Sequence, residues 1–222
     1  MNIFAPVWLA VLLSSGMTSA QDGDRPDVNS VPYEGNVTYE DSRLEGLMLT
    51  RPSRFLAPSR FHEAVFEDDL NTLTAFYRQN GFLQARIIDT VVAVDSVKHQ
   101  VDITIRLEEG ERTFVEGVSI FGNRFFSDAD LRRLIGIQKD NPLRRPVIED
   151  AVVILLSHYA EHGFLDASVT PNVQVNDSAH LALVDFKVHE GVRSRIGSIN
   201  IVGVEKTQRY VMVRELSFAV GD

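Results

Sequence analysis

The chain has 222 residues, of which 44% are hydrophobic and 24% charged, a composition that belongs to globular protein rather than to disordered or fibrous chains. Its formal net charge of -9 leaves no bulk basic face to attract phosphates, which excludes nucleic acid as the main partner. It contains no cysteine, so disulfides, thiolate metal sites, cysteine nucleophiles and a lipid-modified N-terminal cysteine are excluded together.

Residues 1–20 hold an apolar stretch from Ile3 to Leu13 followed by small residues ending in Thr18-Ser19-Ala20, which reads as a secretory signal peptide cut after Ala20. It departs from that pattern in having no Lys or Arg before the apolar stretch. Residues 21–27 form a polar linker. Beyond it the longest apolar run is Ala151-Val-Val-Ile-Leu-Leu156, far short of the roughly 20 residues a helix needs to cross a bilayer.

The rest of the chain repeats itself. Tyr77-Arg-Gln-Asn-Gly81-Phe82-Leu83-Gln-Ala85 returns 82 positions later as Tyr159-Ala-Glu-His-Gly163-Phe164-Leu165-Asp-Ala167. Glu109-Gly110 returns after 81 as Glu190-Gly191, and Gly122 after 81 as Gly203. Agreement between independent landmarks marks one module of about 80 residues used twice and begun a third time. The modules are expected at 28–112 and 113–192, with a truncated third at 193–222.

Each module is expected to open on a short strand ending in a turn: Val31-Pro-Tyr33 before Gly35-Asn36, Val118-Ser-Ile120 before Gly122-Asn123, and Ile199-Asn-Ile201 before Gly203. Glycine accepts positive φ there and Asn is the next most tolerant residue. A first helix follows, with apolar pairs Leu44/Leu47, Leu131/Leu134 and Val213/Leu216 one turn apart; Ser127 and Asp130 read as a capping-box variant. Between its helices the first module carries extra residues, with Arg51, Pro52, Arg54, Phe55, Pro58 and Arg60.

The second helix has the stripe Phe66, Leu70, Leu73, Tyr77, repeated as Ile148, Val152, Leu155, Tyr159, stepping by 4, 3 and 4 and so apolar on one face. Glu67-Asp68-Asp69 and Glu149-Asp150 are expected to sit at its positive end, and Gly81 and Gly163 at a left-handed C-terminal cap. Two strands close each module. In the last one every second residue is expected inside: Val101, Ile103, Ile105, Leu107 and Ala182, Val184, Phe186, Val188. The strands before them, from Ala85 to Asp95 and from Ala167 to Asn176, are less regular, and Pro171 places the second at a sheet edge. The fold class is α+β: strand, helix, helix, strand, strand, a small mixed sheet with two helices on one face. Connections of about four to six residues between modules make a jointed arm with restricted hinges.

That order of elements, with Gly-Asn after the first strand, Tyr-x-x-x-Gly-Phe-x-x-Ala after the second helix and Glu-Gly after the last strand, resembles the POTRA repeats of BamA/TamA-type outer-membrane assembly factors. The resemblance covers about residues 28–222. It implies a periplasmic arm at the outer membrane, exported by the signal peptide, in a longer chain ending in a membrane β-barrel. It also implies non-enzymatic work: unfolded outer-membrane proteins add to an exposed sheet edge by main-chain hydrogen bonding. The expected edges contain Arg86, Ile88, Thr90 and Val92 in the first module and Val169, Asn172 and Gln174 in the second; the alternative is that these are solvated edges without a partner. Two-partner secretion, an enzyme such as a patatin-like lipase carrying accessory repeats, and a free-standing interaction protein remain the competing readings.

Arg51, Arg54, Phe55 and Arg60 form a possible docking loop, for an accessory lipoprotein or lipid head groups, or else a solvated loop whose Phe55 and Phe61 cover the helix pair. His158 and His162, four apart, have metal-ligand spacing but no third ligand nearby, and no metal or cofactor is expected. No Gly-x-Ser-x-Gly elbow, phosphate loop or His-Glu-x-x-His pattern occurs. Tyr77, Gly81, Phe82, Ala85, Gly122, Asn123, Tyr159, Gly163, Phe164, Ala167 and Gly203 are assigned to folding, and cutting either tyrosine to alanine is expected to cost on the order of 3 kcal/mol.

Overall fold

The computed structural model describes residues 25–55, 57–202, 208–216 and 220–221. The expected signal peptide, most of the linker and Gly203 lie outside the described residues. The chain divides into two compact units, one running through Phe114 and including Pro142–Arg145, the other made of Val115–Asn141 and the residues from Pro146 on.

The first unit contains β1 (Asp27–Ser30), β2 (Tyr33–Glu34), α1 (Asp41–Glu45), α2 (Glu63–Gln79), β3 (Arg86–Asp95) and β4 (Gln100–Glu108). β4 is central: β3 pairs with it antiparallel, and β1 and β2 pair with it in parallel. The strand expected around Val31-Pro-Tyr33 is two short pieces. Pro32 has no N–H to give a ladder, although its carbonyl still accepts from the Ile105 N–H at 3.0 Å. Val101, Ile103, Ile105 and Leu107 are all buried, and pack with Phe66, Leu73 and Tyr77 of α2 and with Leu44 and Met48. Strict alternation on β4 arises because only one face of the sheet is covered by helices.

The second unit contains most of β5 (Phe114–Phe121), then α3 (Asp128–Ile135), α4 (Arg145–Glu161), β6 (Ser168–Asn176), β7 (Leu181–His189) and α5 (Arg209–Arg214). Its sheet runs β5-β7-β6, with β6 antiparallel to β7. Ala182, Val184, Phe186 and Val188 are buried, as are Ile148, Ala151, Leu155 and Tyr159 of α4. Ser127 caps α3 by accepting from the Asp130 N–H at 3.2 Å. Both hairpins are closed by a side chain. Asp95 accepts from the N–H groups of Val97 and Lys98, each at 3.0 Å, and Asn176 accepts from Ala179 N–H at 3.2 Å.

Three expectations are corrected. α2 begins at Glu63 and α4 at Arg145, so Glu63 is the acid in the first turn of α2 and α4 has none there. The acids Glu67, Asp68, Glu149 and Asp150 sit deeper in their helices, beyond the reach of the positive end. Residues 199–201 form no strand, and after them α5 carries Val213 but ends before Leu216.

Asp69 has a different task from helix capping. It is buried and accepts from the N–H groups of Leu49 and Thr50, both at 2.7 Å. The matching position in the second unit is Ala151, where the chain between helices is shorter. The carboxylate therefore anchors the start of the extra segment, taking the Leu49 and Thr50 N–H groups ahead of the point where the segment's backbone reaches β1. Asp69→Ala is expected to strand two donors and destabilise the first unit by about 3 kcal/mol, read as faster hydrogen exchange at its β4 amides.

Candidate docking edges

In each unit the outer side of the first strand is bonded at its start by another segment of the same unit. The extra segment lies along β1: Ser53 N–H donates to Val28 O (2.7 Å), Val28 N–H to Ser59 O (2.8 Å) and Phe61 N–H to Pro26 O (2.9 Å). In the second unit Val115 N–H donates to Asn141 O and Asp140 N–H to Val115 O, both at 2.8 Å. The opposite borders, β3 and β6, each pair with one strand only. Among the described residues no backbone hydrogen bond ties their outer sides to another segment. An unpaired row of N–H and C=O groups is a template for an added strand.

The expected edge residues do not share a face. Arg86 and Ile88 are exposed, with Arg86 donating to Glu108 at 2.9 Å, but Thr90 is wholly buried and Val92 packs on the core. A bulge between Ile87 and Asp89 causes this, because one extra residue reverses which side chains point inward. On β6, Val169 points in, and Asn172 and Gln174 are exposed. Gln174 donates to Asp185 at 3.0 Å.

One donor on β3 is already engaged. Thr90 faces Ile105, and the Ile105 N–H is directed away from β3, to Pro32. Residues facing each other at such a pair turn their peptide groups apart, so the Thr90 N–H points to the open side, where Asp89 Oδ1 accepts it at 2.8 Å. Asp89 Oδ2 in turn accepts from Arg106 (3.2 Å), which also donates to Glu34 (2.7 Å). The Glu34 carboxylate first, and Asp89 after it, hold the Arg106 guanidinium above its ordinary pKa. The matching pair on β6 is Pro171 with Phe186.

The arginine-rich segment splits into separate roles. Arg51 donates to Met48 O at 2.5 Å and Arg54 to Glu45 at 3.3 Å. Arg60 bridges Asp27 through its backbone. Phe61 packs against Phe66 with ring centres 5.9 Å apart, whereas Phe55 is fully exposed and covers nothing.

The repeated landmarks of the second unit form a latch around Glu190. Gly122 has φ of 87°, and a Cβ there would stand 2.1 Å from Val188 O; Gly35 meets Leu107 O in the same way at 2.0 Å. Asn123 donates to Phe126 O at 3.1 Å. Beyond the turn, Arg124 N–H (2.7 Å), Phe125 N–H (2.9 Å) and the Tyr159 hydroxyl (3.0 Å) all donate to Glu190 Oε1. Burial alone would raise the Glu190 pKa, but these donors outweigh it and hold the carboxyl below its usual range. In the first unit Glu109 instead receives the Thr38 N–H (2.9 Å) and hydroxyl (2.6 Å). Burial first and then the nearby Glu109 carboxylate push the Tyr77 phenol up, yet among the described residues its buried hydroxyl makes no hydrogen bond of normal length and alignment. The clue available in the sequence was that Tyr and Glu-Gly recur together at nearly one offset.

Gly81 and Gly163 hold the outgoing chain. Gly81 O accepts from Thr113 N–H at 2.8 Å and Gly163 O from Ser194 N–H at 2.7 Å. Arg112 and Arg193 donate to Asn80 O and His162 O, at 3.1 and 2.9 Å, and stack over Phe82 and Phe125 respectively. Phe82, Phe164 and Ala85 are buried and Ala167 half-buried. His158 and His162 pack on Phe126, with ring centres 4.3 and 4.8 Å away. Their rings therefore belong to an aromatic cluster in which His158 stands where the first unit has Phe76.

Two units of one design, each with the same Gly turn, the same Tyr at a helix end and a Glu that accepts from the chain just beyond the turn, point to one repeat family. Residues 26–110 and 113–191 match the family described as POTRA, surface antigen variable number repeat. The chain belongs to the POTRA family. A Treponema pallidum (strain Nichols) protein named putative outer membrane protein assembly factor is 26% identical over 206 residues, which are 91% of this chain and 25% of the relative. Outer membrane protein assembly factor BamA of Neisseria meningitidis serogroup B is 27% identical over 205 residues, 88% of this chain and 25% of the relative. The chain thus spans about a quarter of the length of these curated relatives. Among solved structures, Haemophilus influenzae BamA POTRA3-5 has 24% sequence identity and a TM-score of 0.52, covering 88% of this chain and 78% of that one. That likeness concerns the POTRA fold.

Proposed function

We propose that this chain is the periplasmic, client-binding arm of an outer-membrane protein assembly factor, and that unfolded outer-membrane proteins add as strands to β3 and β6. The two POTRA modules would be 28–112 and 113–192, with 193–222 opening another. The observation that supports the reading is an asymmetry at each sheet's borders: the chain's own backbone bonds the outer side of the first strand at its start, at Pro26 and Val28 and at Val115, whereas among the described residues no backbone bond occupies the outer side of β3 or β6. Main-chain pairing suits an arm with many clients, because the backbone supplies the contacts whatever the client sequence. The assembly-factor names of the relatives support the setting. The 51–60 segment, with Phe55 exposed, is the place where an accessory lipoprotein would dock.

Proline scanning tests the edge. Val92 lies two residues beyond Thr90, so its N–H also points to the open side and Val92→Pro removes no bond to β4. Cross-linking of an unfolded outer-membrane protein to β3 is expected to disappear while the unfolding midpoint moves by no more than about 1 kcal/mol in stability. Val91→Pro, whose N–H faces β4, should unfold the strand. Undiminished cross-linking in Val92→Pro rules the edge out.

A further inference from the structure

Both open edges are interrupted at the same place. Thr90 on β3 and Pro171 on β6 face Ile105 and Phe186, which are 81 positions apart, the repeat offset. On β3 the outward donor is present but bonded by Asp89 Oδ1. On β6 the residue is proline and there is no donor at all. Two unrelated devices remove the same hydrogen bond from the same register position in two copies of one fold.

We infer that Asp89 and Pro171 set the register of client docking by confining an added strand to the hairpin-side halves of the edges, residues 91–95 of β3 and 172–176 of β6. This rests on the strand-addition reading above. A client running past the gap would bring a carbonyl out of water to a position with no donor, so pairing ends there. On β3 the bulge at Ile88 lies just beyond and turns the strand away, reinforcing the stop. On the hairpin side the outward N–H groups of Val92 and Val94, and of Val173 and Val175, remain available by the alternation of the ladder. Asp89 is pinned for this role, since Arg106 holds its second oxygen and is itself held by Glu34.

Exposure does not explain such a preference, because Ile88 and Val94, on opposite sides of the gap, are 57% and 55% exposed. The test uses the full-length protein with a photo-reactive residue placed in turn at Ile88, Val94, Thr170 and Val175, and at exposed Asn71 on α2 as a background position. The probe is a labelled ten-residue peptide of alternating threonine and valine. Cross-linking at Val94 and Val175 is expected to exceed that at Ile88 and Thr170 by about fivefold, the effect of one lost hydrogen bond. Asp89→Ala frees the Thr90 N–H and should raise the Ile88 signal about threefold, whereas Asp89→Asn keeps the side-chain oxygen and should leave the profile unchanged. Pro171→Val restores a donor and should raise Thr170 alike; it breaks no hydrogen bond, so it decides the matter if Asp89→Ala does not fold. A level profile in the unaltered protein, or one that neither Asp89→Ala nor Pro171→Val changes, overturns the register while leaving strand addition standing. Signals no higher than at Asn71 overturn strand addition and the register together.

Discussion

Gly122→Ala is expected to destabilise the second unit by about 4 kcal/mol, enough to unfold a module of this size. Two costs coincide. The residue sits at φ of 87°, and its new Cβ would lie 2.1 Å from Val188 O and 3.3 Å from Val188 C. Both neighbours are backbone atoms of Val188, a paired residue near the end of β7, so neither rotates away as a side-chain tip would. Gly136 separates the terms: its φ is 67° and nothing stands within 4 Å of a Cβ there, so Gly136→Ala should cost only about 1 kcal/mol. The measurement is the difference between the two variants, by hydrogen exchange at the β7 amides. Equal effects would mean that the close approach of the turn to β7 has no weight in the fold.

What could be read in advance was what repeats or alternates. β4 and β7 were legible because one covered face demands a period of two, and α2 and α4 because their stripes keep one face in the core. β6 was legible as an edge from Pro171 alone. What escaped depended on one residue displacing a register or on one polar group finding a distant partner. The bulge before Asp89 turned Thr90 and Val92 inward although their spacing from Arg86 and Ile88 is even. Pro32 split a strand that its second-module counterpart keeps whole. Asp69 had looked like a charge at a helix start, and its position within the buried stripe was the sign that it had an internal partner. The extra segment reads in the sequence as a docking loop or a solvated loop, yet its backbone bonds the start of β1, a pairing no side-chain pattern encodes.

The two tyrosines of the repeated motif should respond differently to the same change. Tyr159→Phe is expected to cost the second unit about 1 kcal/mol, because it removes a donor from Glu190, while Tyr77→Phe should cost the first unit nothing measurable. Both rings are fully buried, with Phe82 and Phe164 edge-on at 5.7 and 5.8 Å, so alanine at either site should cost about 3 kcal/mol from the lost ring and the cavity. Among the described residues only Tyr159 makes a well-formed hydrogen bond to its carboxylate, since Thr38 takes both oxygens of Glu109. Combining Tyr159→Phe with Glu190→Ala should therefore give less than the sum of the single losses. The pH profile carries the same distinction. Glu190 has a depressed folded pKa, so its stabilisation is complete above the unfolded value of about 4.3 and fades as pH falls through the folded one. Tyr159→Phe removes one of the donors that depress it and should weaken that acid limb. Both phenols are raised chiefly by burial, so each unit keeps their contribution below about pH 10 and loses it as pH rises further. Either phenylalanine variant should flatten that alkaline loss in its own unit, but only Tyr159→Phe should also change the acid side. An acid limb altered equally by Tyr77→Phe would show that the first unit carries the same latch in solution.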